Sequence, residues 1–292
     1  MINNFDLFLK IWIGFGVLTF AYLIISKIRT PYGRHSSNQW GFMVNNKWAW
    51  FWMEFPALVV MPIFSIIGPN ELNLLSILLV SIWFIHYFNR VIIFPLRIKT
   101  KGKKMPISIA FSAFFFNIFN GFFNGYYVGY IMNEKSIFDI NVFIGLIVFI
   151  IGMSINISSD NKLISLRKNS GGYKIPKGGV FNFISCPNYF GEIIEWIGFS
   201  IIALSLPALS FTLWTCFNLI PRTILCIAIV AALHPQKTCI VSFTNVLQFR
   251  ALQCALFALC IVCIVCSVYI VCIVGAVCIV HIVHNVYIVL IV

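Results

Sequence analysis

Long apolar segments separated by short basic connections dominate this chain. Apolar residues make up 61% of its 292 positions and charged residues only 10%, against about a quarter in ordinary soluble domains. A helix of about 20 apolar residues can cross the hydrocarbon core of a bilayer. The pattern therefore predicts an all-α polytopic membrane protein. It excludes a soluble dinucleotide-binding enzyme, a disordered chain and a secreted disulfide scaffold.

Seven apolar segments precede an unusual carboxy-terminal tail. We place them near 7–26, 49–67, 72–95, 107–131, 141–157, 188–206 and 208–232. The first is too long for the apolar core of a cleavable signal peptide and lacks a small-residue cleavage site, so we expect it to be a span. The second contains Glu54, Pro56 and Pro62, and we expect a broken span that faces a protein-lined cavity rather than lipid.

The basic residues are segregated between the two ends of the predicted spans. Of the 20 Lys and Arg, all but Lys10 and Lys135 lie in or beside the connections that follow segments one, three, five and seven. Because Lys and Arg accumulate in cytoplasmic loops, the amino terminus is predicted to be luminal or external. The net charge of +12 is then a property of the topology, and no nucleic-acid partner is expected. The longest such connection, 158–187, is either a polar connector or a loop that folds over a phosphorylated cofactor.

The composition changes after about residue 233. We assign 1–232 to a helical membrane domain and 233–292 to a low-complexity tail that repeats Cys-Ile-Val. The tail is expected to carry no chemistry or to form an eighth span. Its Cys-x-x-Cys spacing and the following His281 and His284 superficially suggest metal ligands, but its spacers are apolar and offer no polar support. We therefore expect no metal site.

Four polar motifs lie within or at the ends of the predicted spans. They are Glu54, the segment His86-Tyr-Phe-Asn-Arg90, the segment Asn156-Ile-Ser-Ser-Asp160 and the segment Asn188-Tyr-Phe-Gly-Glu-Ile-Ile-Glu-Trp196. A carboxylate inside a span is costly unless it is neutralised or paired, so each motif is a functional hypothesis. Burial favours the protonated form of Glu54, which can donate a hydrogen bond to a carbonyl. Polar contacts that only hold helices together are the alternative, but four clusters favour a shared site.

These motifs and others in the same order resemble the steroid 5α-reductase family. The resemblance rests on Ala49-Trp-Phe-Trp-Met-Glu-Phe-Pro56, His86-Tyr-Phe-Asn-Arg90, Asn124-Gly-Tyr-Tyr127, Gly152-Met-Ser-Ile-Asn-Ile-Ser-Ser-Asp160, Tyr173-Lys-Ile-Pro-Lys-Gly-Gly-Val-Phe181 and Asn188-Tyr-Phe-Gly-Glu-Ile-Ile-Glu-Trp196. It covers roughly residues 35 to 223. It implies a seven-helix reductase of the endoplasmic reticulum membrane that moves hydride from NADPH to a 3-oxo-Δ4 steroid.

The resemblance also implies roles for individual residues. Glu54 and Tyr87 would polarise the C3 carbonyl, as a preorganised acid in a dry pocket stabilises developing enolate charge. The residues expected to hold NADPH are Arg90, Asn156, Asp160, Arg167, Asn188, Glu192 and Arg222. No Gly-x-Gly-x-x-Gly motif follows a strand, so helices in the membrane are expected to form the nucleotide site.

The chain departs from the family pattern at two places. Met53 stands where vertebrate members usually have Gln, which affects substrate contacts more than reaction class. After Thr223 the family's His and Tyr contacts to the cofactor fall on Cys226 and Val230, which predicts weak NADPH binding. Two alternatives stay open: a polyprenol or enoyl-CoA reductase of the same fold, and a catalytically impaired pseudo-enzyme.

Overall fold

Helices account for most of the computed structural model, which describes residues 2–26, 38–98, 100, 102–133, 136–169 and 176–233. Seven long helices lie in this described part: α1 (Ile2–Ser26), α2 (Asn46–Ile67), α3 (Leu74–Arg97), α4 (Ile107–Ile131), α5 (Ile140–Asn169), α6 (Pro187–Ala203) and α7 (Leu206–Leu233). Each coincides with one predicted apolar segment, so the predicted helical fold is confirmed. The predictions for the tail from residue 234 onward lie outside the described residues.

Helices α1 to α5 are each long and apolar enough to cross a membrane. Their candidate spans are Asn4–Ser26, Asn46–Ile67, Leu74–Arg97, Ile107–Ile131 and Ile140–Arg167. Helix α6 has 17 residues, and α7 has 28 with Pro221 inside it. The described residues therefore provide five candidate spans, two fewer than the seven predicted.

Two local predictions were wrong. Helix α2 is not broken, because it continues through Pro56 and Pro62 from Asn46 to Ile67. Between the two prolines, the Trp83 indole N–H of α3 donates to the Ala57 carbonyl oxygen over 2.8 Å, so a side chain of a neighbouring helix contacts the α2 backbone there.

The other error concerns the connection predicted to begin at residue 158. Helix α5 continues through this stretch to Asn169, so residues 158–169 of the predicted connection are helical. Its polar residues have no proline or glycine among them until the helix ends, so nothing in the local sequence stops the helix.

A short two-stranded antiparallel sheet joins the connection between α1 and α2 to the connection between α3 and α4. Strand β1 (Met43–Asn45) pairs antiparallel with β2 (Lys104–Pro106), with Val44 opposite Met105. These two connections therefore lie at the same end of the helices, as the segregation of basic residues predicts for them.

Helices α5 and α6 approach so closely that only glycine fits at their contact. A Cβ on Gly152 would lie 2.3 Å from the backbone nitrogen of Glu195, and one on Gly191 would lie 2.5 Å from that of Asn156. Small residues at such contacts let helix backbones approach each other in membrane proteins. This close contact brings the polar residues at the Asn156 end of α5 beside those at the start of α6.

Aromatic side chains pack where α3, α6 and α7 meet. Trp83 of α3 lies 5.2 Å from Trp196, 5.5 Å from Phe199 and 5.0 Å from Phe211, measured between ring centroids. Offset and edge-on aromatic contacts of this kind add to the free energy gained by burial. This core fixes the segment of α3 that carries the polar motif His86-Tyr-Phe-Asn-Arg90.

Candidate active site

Polar side chains from α2, α3, α5 and α6 converge near the end of the bundle that carries the paired strands β1 and β2. Seven of the nine predicted site residues take part in or adjoin this polar cluster: Glu54, Tyr87, Arg90, Asn156, Asp160, Asn188 and Glu192. In the chain they come from four separate helices, so the tertiary fold creates the cluster.

Arg90 connects three of these helices. Its Nη1 donates to Oδ2 of Asp160 on α5 over 3.3 Å, and its Nη2 lies 3.9 Å from Oε2 of Glu192 on α6. The guanidinium also lies 5.0 Å from the ring centroids of both Trp50 and Phe94. A planar guanidinium suits both the paired carboxylates and the aromatic faces. Two carboxylates and two aromatic rings therefore hold the Arg90 guanidinium in place.

The α3 backbone is unusual at this position. Residues Asn89–Ile93 form a π-helical turn, in which each N–H reaches one residue further back than in an α-helix. Such turns are rare and often occur at functional sites. The indole N–H of Trp50 donates to the Arg90 carbonyl oxygen over 3.2 Å, so a side chain from α2 supports the altered backbone.

Asn156 joins α5 to the first turn of α6. Its Nδ2 donates to the Asn188 carbonyl oxygen over 2.9 Å and lies 3.5 Å from Oε2 of Glu192. Asn156 is 2% exposed, and the close approach at Gly191 makes both contacts possible. A buried amide with two partners is well satisfied, which favours a fixed geometry here.

Glu54 and Tyr87 face the same cluster from α2 and α3. Glu54 is half-buried, and its Oε2 accepts a hydrogen bond of 3.3 Å from Nδ2 of Asn117. Tyr87 is buried, and its ring centroid lies 5.0 Å from that of Trp83. An acid and a phenol carried by neighbouring helices can both donate hydrogen bonds to one carbonyl oxygen.

Sequence reasoning missed Asn117 as a site residue. Its Nδ2 donates both to Glu54 and, over 2.7 Å, to the carbonyl oxygen of Met53. The available signal was a lone amide inside the aromatic run Phe114-Phe-Phe-Asn117, which is costly in a span unless it has a partner.

His86 and Glu195 form a second polar contact beside the cluster. His86 Nδ1 lies 2.7 Å from Oε1 of Glu195, and the side chains are 4% and 0% exposed. The sequence singled out both residues as members of polar motifs without giving either a role.

The remaining two predicted residues lie further out. Arg167 is exposed near the end of α5, and its charge acts on Asp160. Arg222 follows Pro221 in α7 and is half-buried. Nearby, Lys162 donates to the Gly178 carbonyl oxygen over 2.9 Å, which attaches the glycine-rich connection to α5. The described part of that connection thus lies against the helix that carries Asp160.

The charges of the cluster define which ligand groups it can hold. Its inner part carries one guanidinium, Arg90, against the carboxyl groups of Asp160 and Glu192, so it suits ligand hydroxyl and amide groups. Arg167 and Lys162, toward the end of α5, provide positive charge for phosphates. This donor set fits a dinucleotide. Among the described residues no group of three or more His, Cys, Asp or Glu could hold a metal ion.

Comparison with known proteins identifies similar chains. Residues 103–232 match the family model described as 3-oxo-5-alpha-steroid 4-dehydrogenase. The chain is 44% identical over 211 residues to steroid 5-alpha-reductase DET2 of Arabidopsis thaliana, covering 68% of this chain and 80% of that protein. It is 35% identical over 213 residues to 3-oxo-5-alpha-steroid 4-dehydrogenase 1 of Rattus norvegicus, covering 71% of this chain and 82% of that protein.

Proposed function

The chain belongs to the 3-oxo-5-alpha-steroid 4-dehydrogenase family, and from this premise we propose that it reduces the Δ4 double bond of a 3-oxo steroid with NADPH. The observation that carries the proposal is the buried polar cluster around Arg90, with Glu54 of α2 and the buried Tyr87 of α3 adjoining it. A carbonyl-polarising pair next to a group of dinucleotide-type contacts is what an enone reductase requires.

Glu54 and Tyr87 stabilise the charge that develops on the substrate. When bound, NADPH supplies a hydride, which is added at C5 of the enone. Negative charge then builds on O3, where the Glu54 carboxyl and the Tyr87 hydroxyl donate hydrogen bonds. Reduction is complete when C4 takes up a proton, so the double bond gains two hydrogens. Because the aromatic core excludes water, these hydrogen bonds are stronger than they would be in solution.

The cofactor contacts are assigned by chemical type. Asp160 and Glu192 accept hydrogen bonds from hydroxyl and amide groups, whereas Asn156 and Asn188 can donate or accept. Arg90 orients the two carboxylates and stays within reach of the ligand. Two further arginines at the outer end of the site are suited to phosphate groups, and these are Arg167 and Arg222.

The membrane arrangement is also part of the proposal. Helices α6 and α7 complete seven spans with the five candidate spans, and the amino terminus lies in the lumen of the endoplasmic reticulum. Residues 1–232 then form the reductase domain and 233–292 a separate tail. The lipid bilayer supplies the apolar substrate.

Product analysis tests this proposal. The full chain in lipid nanodiscs is incubated with NADPH and a 3-oxo-Δ4 steroid, a polyprenal or a trans-2-enoyl-CoA, and products are identified by mass spectrometry. We expect a 5α-reduced steroid that gains two hydrogens when NADPH is supplied at high concentration, because NADPH binding is predicted to be weak. The Glu54→Gln variant is the matched control. Reduction of only the polyprenal or the enoyl-CoA would replace the steroid by that substrate class. Failure to bind NADPH at all would identify a pseudo-enzyme.

A further inference from the structure

The buried contact between His86 and Glu195 has no role in the function proposed above. Its two side chains are 4% and 0% exposed, and Nδ1 of His86 lies 2.7 Å from Oε1 of Glu195. Burying such a pair requires desolvation, and apolar residues of similar volume often stabilise a core equally well. The presence of this contact is therefore not by itself evidence of added stability.

Glu195 lies at the close contact between α5 and α6. A Cβ on Gly152 would lie 2.3 Å from the backbone nitrogen of Glu195, so α5 and α6 are in direct backbone contact here. Oε2 of Glu195 has no hydrogen-bond partner among the described residues. Within that part of the chain, His86 is the hydrogen-bond partner that orients the Glu195 carboxyl group. The backbone of Glu195 is itself fixed by its contact with α5.

His86 in turn fixes the rotation of α3 at Tyr87. Its ring centroid lies 5.0 Å from that of Tyr87 and 4.6 Å from that of Trp196, with both contacts edge-on. Consecutive residues of an α-helix point about 100° apart, because one turn takes about 3.6 residues. Directing His86 at α6 therefore also fixes the sector of α3 in which Tyr87 lies.

A second contact supports the same alignment. Arg90, one turn after His86 on α3, lies 3.9 Å from Glu192, one turn before Glu195 on α6. The two contacts run in opposite chain directions, as expected for antiparallel helices. Together they restrict both the rotation of α3 and its sliding along α6, whereas a single contact would restrict only one of them.

We infer that His86 and Glu195 are positioning residues that direct the Tyr87 hydroxyl at the substrate carbonyl. The inference rests on the proposed function, because it specifies how one half of the carbonyl-polarising pair is held. Neither residue touches the reacting atoms. Their effect is on the hydrogen bond from Tyr87 to O3, so it is measurable without hydride transfer.

The test uses the carbonyl stretching frequency of a bound, isotope-labelled 3-oxo-Δ4 steroid, measured by infrared difference spectroscopy on the full chain. Hydrogen bonds from Glu54 and Tyr87 shift this frequency down in the wild-type chain. We expect Glu195→Gln, which keeps size but removes the charge, to lose the same part of the shift as Tyr87→Phe. The Kd for the steroid should stay within about threefold of the wild-type value.

The double variant separates positioning from a general structural role. If Glu195 acts through Tyr87, adding Glu195→Gln to Tyr87→Phe causes no further loss of shift. Thr212→Val is the matched control, because Thr212 is buried and its hydroxyl donates to the carbonyl oxygens of Trp196 and Ala208, over 2.8 and 3.1 Å, rather than to a residue of α3. This control should keep the full shift. Glu195→Asp, which keeps the charge but shortens the side chain, provides a second variant with an expected intermediate shift.

Two results would overturn the inference. One is an unchanged frequency in both Glu195 variants, and the other is a loss that adds to that of Tyr87→Phe. If the wild-type chain produces no carbonyl shift, the proposed function is refuted. The inference about His86 and Glu195 is then refuted as well, because it rests on that function. The wild-type spectrum therefore distinguishes the two failures.

Discussion

Asn117 on α4 donates a hydrogen bond to the Glu54 carboxyl on α2, with Nδ2 3.3 Å from Oε2. The same nitrogen lies 2.7 Å from the carbonyl oxygen of Met53, the residue before Glu54. Asn117 therefore holds both the backbone and the side chain of the proposed acid. Helix α4, which carries none of the four polar motifs at the predicted site, thus takes part in orienting the proposed acid.

Replacing Asn117 by Ala should lower turnover by about tenfold, because loss of one hydrogen bond of about 1.4 kcal/mol changes a rate by that factor. Steady-state kinetics on the folded variant measure the effect. Asn141→Ala is the control, since Asn141 also donates to backbone carbonyl oxygens, of Ile201 and Ile202, but lies away from the cluster. Equal losses in the two variants would mean that Asn117 contributes only to folding.

Changes in the polarising pair should affect the chemical step more than substrate binding. Glu54→Gln removes the acid proton, and Tyr87→Phe removes the hydroxyl, so each should lower turnover by about 10²–10³-fold. Single-turnover kinetics separate this step from binding. Unchanged turnover in both variants would show that these residues do not polarise the carbonyl.

The contact between α5 and α6 should be sensitive to a single methyl group. Gly152→Ala places a Cβ 2.3 Å from the Glu195 backbone nitrogen, and overpacking of this kind costs about 1–3 kcal/mol of unfolding free energy. A lowered thermal transition in detergent would report this loss. Gly14→Ala on α1 is the control, because nothing lies within 4 Å of the added Cβ. Its thermal transition should not fall.

Accessibility labelling tests the topology. Ser108 lies two residues after strand β2, and Ser136 lies in the connection between α4 and α5. Cysteines introduced at these two positions should react with impermeant reagents from opposite sides of sealed vesicles. Labelling of both from one side would contradict an α4 that spans the membrane.

The stretch after Thr223 is predicted to weaken cofactor binding. The family resemblance implies that Cys226 and Val230 stand where cofactor contacts are expected, and each lost charge-assisted contact is worth about 1.5–3 kcal/mol. Two such losses should weaken NADPH binding by about 10³-fold, as measured by fluorescence titration in detergent. A family-type ending grafted after Thr223 should restore binding. Tight binding by the unchanged chain would show that its own ending is functional.

The sequence by itself determined the helical class and the position of each long helix in the described part. An apolar run of span length between polar connections has few alternatives, because lipid leaves no other way to satisfy the backbone. The order and spacing of the motifs also indicated the family. The unbroken α2 was not predicted, because contacts with neighbouring helices support it around its prolines. The end of α5 at Asn169 was not predicted, because its polar last turns were interpreted as a connection although no proline or glycine interrupts them.

Only the tertiary structure decided which polar side chains meet. Asn117 is 63 positions from Glu54 and His86 is 109 from Glu195, and no local pattern encodes contacts over such separations. They depend on how closely the helices approach, which the glycine contact at Gly152 sets for α5 and α6. The sequence determines the chemistry of each side chain, but the packing of the helices determines which side chain it contacts.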